Sequence, residues 1–204
     1  ARFQREWDGE VERIHALGHA PRPSQGEVIG AVERSAAPRD VVVCAAGSLP
    51  GDLHKLFRAR DPKAYHVEYG YSCMGYEVAG GLGVKLAAPD REVYVIVGDG
   101  SWLMMSSELV TAIQEGVKLI VVLVDNGGYA SIGGLSRALG CDGFGTEHRC
   151  RDEDGRLAGA RLPVDFAANA ESLGALVFRA DRLADLEAAL AEARAAERTV
   201  VIAI

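Results

Sequence analysis

A short polar segment follows the apolar run VYVIV at residues 93–97 and has the residue types of an anion site. It reads Gly98-Asp99-Gly100-Ser101, and a helical pattern begins directly after it. In open α/β sheets ligands bind outside the carboxyl ends of the strands, where the first N–H groups of a helix face an anion such as phosphate. A carboxylate at Asp99 would repel a bare phosphate. The segment therefore indicates a divalent cation between the carboxylate and the phosphate.

A second polar turn follows the next apolar run along the chain, LIVVLV at residues 119–124, and reads DNGG. Strands that follow one another in such sheets are often neighbours, so Asn126 is expected close to Asp99. Magnesium prefers octahedral oxygen coordination, which a carboxylate, an amide oxygen and the carbonyl of Gly128 could begin. Each turn taken alone is an ordinary turn. Together they predict that the side-chain oxygens of Asp99 and Asn126 lie within a few ångströms of a common point.

The elements that must position these turns alternate along the chain. The strand candidates are residues 41–46, 65–69, 93–97, 119–124, 175–180 and 199–204. The helix candidates are residues 25–36, 74–88, 103–115, 165–172 and 182–196. The apolar runs are continuous, which is typical of strands covered on both faces. The pattern predicts an open, doubly wound α/β domain with a mainly parallel sheet and helices on both faces.

Composition narrows the class of protein. The chain has 204 residues, 49% of them hydrophobic, enough for one well-buried core. Its 29 acidic and 22 basic residues are interspersed and give a net charge of −7, so no basic face is available for nucleic acid. No apolar run approaches the roughly 20 residues that cross a bilayer, and the charged first residues are unlike a secretory signal. We therefore expect a cytoplasmic protein without nucleic-acid or membrane partners.

The sequence also predicts the structure of two further segments. Residues 1–24 contain the amphipathic stretch FQREWDGEVERIHAL and are predicted to form an interdomain helix or arm, with residues 25–204 as the binding domain of a longer chain. Residues 127–162 are rich in glycine and weakly periodic, so we expect them to be irregular and mobile without a ligand. Cys141, His148 and Cys150 lie in this segment, but three ligands in one loop are only a weak indication of zinc.

The two turns together are similar to the thiamine-diphosphate motif of the pyruvate decarboxylase and acetolactate synthase superfamily. The resemblance rests on a GDG at a strand end, a helix, an apolar strand and Asn126, which follows Asp99 by 27 positions (126 − 99). It implies thiamine diphosphate and Mg²⁺ as cofactors, with the metal bound by Asp99, Asn126 and the carbonyl of Gly128. Asp125 stands where many relatives have a first asparagine, while the ligand position itself is kept.

The resemblance extends upstream of these turns. The segment GYSCMG at residues 70–75 is similar to the one whose apolar side chain wedges under the coenzyme, which makes Met74 the wedge and the carbonyl of Ser72 the acceptor for the pyrimidine amino group. Met74 could instead be a core methionine of the following helix. The implied diphosphate contacts are Gly47, Ser48, Leu49, Gly98, Gly100 and Ser101.

Nearly the whole chain resembles the trihydroxycyclohexane-1,2-dione hydrolase family of myo-inositol catabolism, through the runs AAGSLPGDLHKLF, YHVEYGYSCMGYEVAGGLGVKLA, GDGSWLMMSSELVTAIQEG, DNGGYASIGGL and FGTEHR. Such enzymes open a cyclic diketone by adding water across a C–C bond, which gives 5-deoxyglucuronate. The resemblance also implies absent N-terminal pyrimidine-binding and central domains and a homodimer or tetramer. The glutamate that protonates the pyrimidine belongs to another domain, so no catalytic residue is assigned here and the isolated chain is expected to be inactive.

Several readings stay open. A related lyase or synthase of the acetolactate synthase type would share the motif, and a noncatalytic nucleotide-binding module would share the scaffold. A nicotinamide site would need glycine where GDGSWL has Leu103. Glu68 and Glu77 lie near the Met74 loop, where polarity at the surface, or polar support behind the residues that touch the coenzyme, is a simpler role than catalysis. His66 and His148 are candidate proton carriers, although partly exposed structural histidines are the simpler expectation.

Overall fold

Six strands lie side by side in parallel in the computed structural model, which describes residues 2–204, in the order β2-β1-β3-β4-β6-β5. The strands are β1 Val41–Cys44, β2 Tyr65–Val67, β3 Val93–Gly98, β4 Ile120–Val124, β5 Leu176–Arg179 and β6 Val200–Ala203. The helices are α1 Arg2–His15, α2 Gln25–Ser35, α3 Leu49–Leu56, α4 Tyr76–Ala87, α5 Asp99–Met105, α6 Glu108–Gln114, α7 Ala130–Ala138, α8 Phe166–Ser172 and α9 Leu183–Ala195.

The sheet separates two hydrophobic clusters, because successive strand side chains point to opposite faces. Val42, Cys44, Tyr94, Ile96, Ile120, Val122, Val200 and Ile202 pack on one face with α2, α3 and α9. Val41, Val43, Val93, Val95, Val97, Val121, Leu123 and Val201 pack on the other with α4, α5, α6 and α8. The four inner strands are thus buried on both sides, and the prediction of a doubly wound parallel sheet is confirmed.

The strand order places the two polar turns together. β3 and β4 are parallel neighbours, with Gly98 paired to Val124, so Asp99 and Asp125 leave the sheet at matching positions. From β1 the chain turns to β2 on one side and then crosses to β3 on the other. The crevice between the ends of β1 and β3 is therefore a topological switch point, where open α/β sheets bind ligands.

The expected single helix over residues 103–115 was wrong. α5 begins at Asp99, directly from the strand, and a break at Ser106 and Ser107 separates it from α6. The carbonyl of each serine accepts a hydrogen bond from the N–H three positions later. Ser106 accepts from Leu109 at 3.0 Å, and Ser107 accepts from Val110 at 2.9 Å. Serine has a lower helix propensity than alanine or leucine, which is consistent with a break at this pair.

Two further helices were not predicted. α3 covers residues 49–56, where Pro50 and Gly51 have turn propensity, but proline is compatible with the first turn of a helix. α7 covers residues 130–138, so the expectation that 127–162 is irregular throughout was wrong.

The N-terminal stretch forms the expected helix. α1 packs on α2 and buries Val11, and the indole N–H of Trp7 donates to the carbonyl of Lys55 at 3.2 Å. The division into an arm and a binding domain remains a prediction. Within residues 2–204, no helix combines the length and apolarity that a bilayer crossing requires.

Candidate functional site

A cleft of about 470 Å³ opens at the carboxyl ends of β1, β3 and β4. It is lined by Ala46, Gly47, Ser48, Leu49, Tyr69, Ser72, Met74, Gly98, Gly100, Ser101, Asn126, Gly128, Tyr129, Ala130, Ser131, Ile132 and Leu135. Four strand-end segments thus meet in one cavity. They contain all eight residues predicted to contact a coenzyme, together with two of the three predicted metal ligands.

Three oxygen-bearing groups converge at the floor of this cleft, as the sequence predicts. The amide oxygen of Asn126 lies 2.9 Å from the carbonyl oxygen of Gly128 and 3.3 Å from Oδ1 of Asp99. Swapping the amide would place its NH₂ group there and make two hydrogen bonds, which is the usual choice where no cation is present. Adjacent oxygens around an octahedral Mg²⁺ are about 2.9 Å apart, so the unswapped arrangement also fits a shared cation.

Asp99 is fully buried and incompletely satisfied. Its Oδ1 accepts from the N–H of Gly100 at 3.0 Å, while its Oδ2 has no hydrogen-bond partner among the described residues. Nε2 of His148 lies 3.5 Å from Oδ2 and is also unpartnered. Burial, and then repulsion from Asp125, raise the pKa of Asp99 to about 6. A buried carboxylate with an unpaired oxygen is costly, and a divalent cation would offset that cost.

The loop before α4 holds a strained residue at the cleft. Ser72 has φ 50°, the only positive φ of a non-glycine residue within 2–204. The Glu68 carboxylate accepts from the N–H groups of Tyr71 at 3.0 Å and Cys73 at 2.7 Å, on either side of Ser72. Such backbone strain persists where the surroundings impose it, often at ligand sites. The role expected for Glu68, supporting polarity, is consistent with these two bonds.

Met74 precedes α4 and lines the cleft half-buried, so it is not a core methionine of that helix. A Cβ placed on Gly100 would lie 3.4 Å from its Cε and 2.8 Å from the ring of Tyr129. Only glycine therefore leaves the backbone at residue 100 open beneath these two side chains.

The remaining candidates occupy different surroundings. Glu77 is buried, with 1% of its surface exposed, so of the two simpler roles expected for it only polar support behind the cleft-lining residues fits. His66 donates to or accepts from the hydroxyl of Tyr76 at 2.7 Å and does not line the cleft. In the described chain, Cys141, His148 and Cys150 do not form a cluster of metal-binding side chains.

The cleft wall formed by α7 was missed by sequence reasoning. Ile132 and Leu135 lie three positions apart on α7, which is a helical signal that the neighbouring glycines obscured. Hydrogen bonds join the turn before α7 to the later part of this glycine-rich loop. The N–H of Tyr129 donates to the carbonyl of Thr146 at 2.8 Å, and the N–H of His148 donates to the carbonyl of Gly127 at 2.9 Å.

We expect residues 127–162 to exchange their amide hydrogens faster than β3 when no ligand is bound, and to slow on addition of thiamine diphosphate and Mg²⁺. Few buried side chains fall in this segment, so little besides the cleft contents would order it. Hydrogen–deuterium exchange read by mass spectrometry measures this. Exchange as slow as that of residues 93–97 in the ligand-free protein would contradict the expectation.

Comparisons with known proteins show the family of this chain. Residues 45–204 match the family described as thiamine pyrophosphate enzyme, C-terminal TPP binding domain. The chain is 47% identical over 188 residues to "3D-(3,5/4)-trihydroxycyclohexane-1,2-dione hydrolase 2" of Bacillus cereus (strain ZK / E33L), a match that covers 92% of this chain and 29% of that protein. A Bacillus thuringiensis (strain Al Hakam) protein with the same name but no number is 46% identical over 190 residues, 92% of this chain and 29% of its own.

A solved structure shares the fold. It is the "Rhodococcus jostii RHA1 thiamine diphosphate-dependent 4-hydroxybenzoylformate decarboxylase", with a TM-score of 0.75 and 21% identity, and the match covers 92% of this chain and 33% of that one. At this identity the similarity supports the fold alone. The chain spans less than a third of the curated relatives it matches.

Proposed function

The chain belongs to the thiamine pyrophosphate enzymes, as their C-terminal TPP-binding domain, and on that premise we propose that it is the coenzyme-binding part of a C–C bond hydrolase. The proposed substrate is trihydroxycyclohexane-1,2-dione, opened to 5-deoxyglucuronate in myo-inositol catabolism. The names of relatives 46–47% identical over about nine-tenths of the chain support this substrate.

The observation that carries the proposal is the convergence of the Asp99 carboxylate, the Asn126 amide group and the Gly128 carbonyl, of which Asn126 and Gly128 line the cleft. These three groups would hold Mg²⁺ against a diphosphate. Gly47, Ser48 and Leu49 line one side of the cleft, and Gly98, Gly100 and Ser101 follow β3 on the other. The Oδ2 of Asp99 supports a cation there, because it has no hydrogen-bond partner within residues 2–204.

When bound, thiamine diphosphate supplies a nucleophilic carbon and an electron sink for breaking the bond beside a ketone. The residues of this chain bind and orient it. Met74 would support the coenzyme from below, and the carbonyl of Ser72 would accept from its pyrimidine amino group. Ile132 and Leu135 add apolar surface to the cleft and reduce its contact with water.

We further propose that the chain is part of a longer cytoplasmic protein, with a pyrimidine-binding domain and a central domain, that assembles as a homodimer or tetramer. Its span of 29% of the relatives' length supports additional domains. In this proposal the proton-transferring glutamate lies in another domain, and the isolated chain does not turn over a diketone.

The test is an assay of the full-length protein with trihydroxycyclohexane-1,2-dione, thiamine diphosphate and Mg²⁺. We expect 5-deoxyglucuronate to form, and its formation to stop when either cofactor is withheld. Turnover of pyruvate with no action on the cyclic diketone would instead indicate a lyase or synthase. Absence of coenzyme binding would contradict the proposed function altogether.

Replacing Met74 with alanine should lower turnover of the full-length enzyme about tenfold or more, because misplacing a reacting group by an ångström can cost about two orders of magnitude. The proposed contacts to the metal and the diphosphate do not involve the Met74 side chain, so coenzyme affinity should change little. Titration calorimetry and steady-state kinetics measure the two effects. Met74→Leu keeps the apolar bulk and should retain most of the turnover, and equal losses in both variants would contradict a wedge role.

A further inference from the structure

Glu77 is a buried carboxylate whose contacts reach across the cleft-forming loops. It lies in the first turn of α4 with 1% of its surface exposed. Its Oε1 accepts from the N–H of Ala46 at 3.2 Å, and its Oε2 accepts from the N–H of Gly75 at 3.0 Å. One side chain thus joins the β1–α3 and β2–α4 connections.

Both connections contribute to the cleft. Ala46 adjoins the predicted diphosphate loop, and Gly75 follows Met74 directly. The two loops joined by the carboxylate are otherwise separate, since Ala46 and Gly75 follow different strands. Their spacing decides how far the proposed diphosphate contacts lie from the proposed wedge.

The chemistry of the contact favours a carboxylate over other side chains. Residues 2–204 contain no ion pair to Glu77, so backbone donors stabilise it. Burial raises the pKa of Glu77, and the hydrogen bonds from Ala46 and Gly75 act in the opposite direction. If the side chain at this position served only to pack the core, an apolar residue would be expected, because a buried carboxylate without an ion-pair partner is costly.

We propose that Glu77 is a positioning residue that sets the distance between the diphosphate loop at Gly47–Leu49 and the Met74 loop, and thereby the geometry of the bound coenzyme. The inference rests on the proposed function. Glu77 acts through Ala46 and Gly75, and the two oxygens of its carboxylate serve both N–H groups at once. A glutamine would turn its NH₂ group towards one of these donors and release that loop.

The experiment uses the full-length enzyme with Glu77→Gln and Glu77→Asp. Two readouts are compared at saturating coenzyme: kcat, and the rate at which bound thiamine diphosphate exchanges its C2 proton for deuterium, followed by proton NMR without substrate. We expect both to fall at least tenfold, while coenzyme affinity changes less than tenfold. Glu108→Gln, in the first turn of neighbouring α6 and outside the cleft, should leave all three unchanged.

A second comparison tests whether Glu77 acts through the Met74 loop. The double variant Glu77→Gln/Met74→Ala should lose less turnover than the product of the two single losses, because both changes release the same loop. Exchange and kcat within twofold of the wild type, with only a lowered melting temperature, would overturn the inference in favour of a structural role. If Glu77→Gln does not fold, the same limits on kcat and on C2 proton exchange are applied to Glu77→Asp, which keeps the charge. A wild-type enzyme that binds no coenzyme would instead refute the proposed function.

Discussion

Replacing Asp99 with alanine should weaken Mg²⁺-dependent binding of thiamine diphosphate to the full-length enzyme at least about 100-fold, since removing one partner of a buried charge pair costs about 3–5 kcal/mol. The carboxylate is fully buried, and it is the only anionic group among the three converging oxygens. Without it, the metal loses a charged ligand and the diphosphate charge is less well compensated. Titration calorimetry with and without Mg²⁺ measures the change.

Two controls separate loss of the site from loss of the fold. Asp99→Asn keeps the shape of the side chain and should also bind weakly, because it lacks the charge. Asp90→Asn removes an exposed carboxylate that pairs with Arg39 and should leave coenzyme affinity unchanged. A folded Asp99→Ala enzyme with undiminished coenzyme affinity would refute the metal assignment.

Replacing Gly128 with alanine should destabilise the fold by about 2–4 kcal/mol and also disrupt the metal site, because strain and overpacking act together. Gly128 has φ 148°, and a Cβ there would lie 2.4 Å from the carbonyl oxygen of Thr146 and 2.8 Å from Cα of Glu147. These are backbone atoms, so the methyl group cannot be accommodated by a side-chain rotation. The Gly128 carbonyl should move with the displaced strand bridge to Glu147.

Thermal unfolding and coenzyme titration of Gly128→Ala measure the two effects separately. The matched control is Gly134→Ala, also in this glycine-rich segment, where a Cβ would have no neighbour within 4 Å. Since Gly134 lies inside α7, its replacement should stabilise the protein by about 0.5–1 kcal/mol. Equal melting temperatures for the two variants would contradict the packing described here.

The central part of the fold could be predicted from local sequence. The runs at β3 and β4 are apolar enough to require cover on both faces, and neighbouring parallel strands must bring their carboxyl ends together. That reasoning placed Asp99 beside Asn126, and the structure confirms their proximity. Their role in binding metal and coenzyme remains a proposal.

Contacts between distant parts of the chain decided what local reasoning missed. Glu77 is charged, and its sequence context left open whether it lies at the surface or behind the cleft-lining residues. It is buried, and Ala46, 31 positions earlier, supplies one of its backbone donors. α7 was missed because its glycines lower helix propensity, whereas its position next to the strand-end turn and Thr146 depends on tertiary contacts.

The breaks between elements were equally hard to predict. The periodicity of residues 103–115 suits one helix, and two adjacent serines are a weak signal on their own. In α3, Pro50 and Gly51 have turn propensity, yet Leu53 and Leu56 pack into the core and favour the helix. Where local propensity is weak, burial in the tertiary structure decides whether a segment forms a helix or a break.

The central claim is that Asp99, Asn126 and Gly128 share one divalent cation that anchors the coenzyme. The most direct measurement is a crystal structure of the full-length enzyme with thiamine diphosphate and Mn²⁺ in place of Mg²⁺, with the metal located by anomalous scattering. We expect one peak at bonding distance from a carboxylate oxygen of Asp99, the amide oxygen of Asn126, the carbonyl oxygen of Gly128 and the coenzyme diphosphate. Bound coenzyme with the peak elsewhere, or with the Asn126 NH₂ group turned towards Asp99, would contradict the claim.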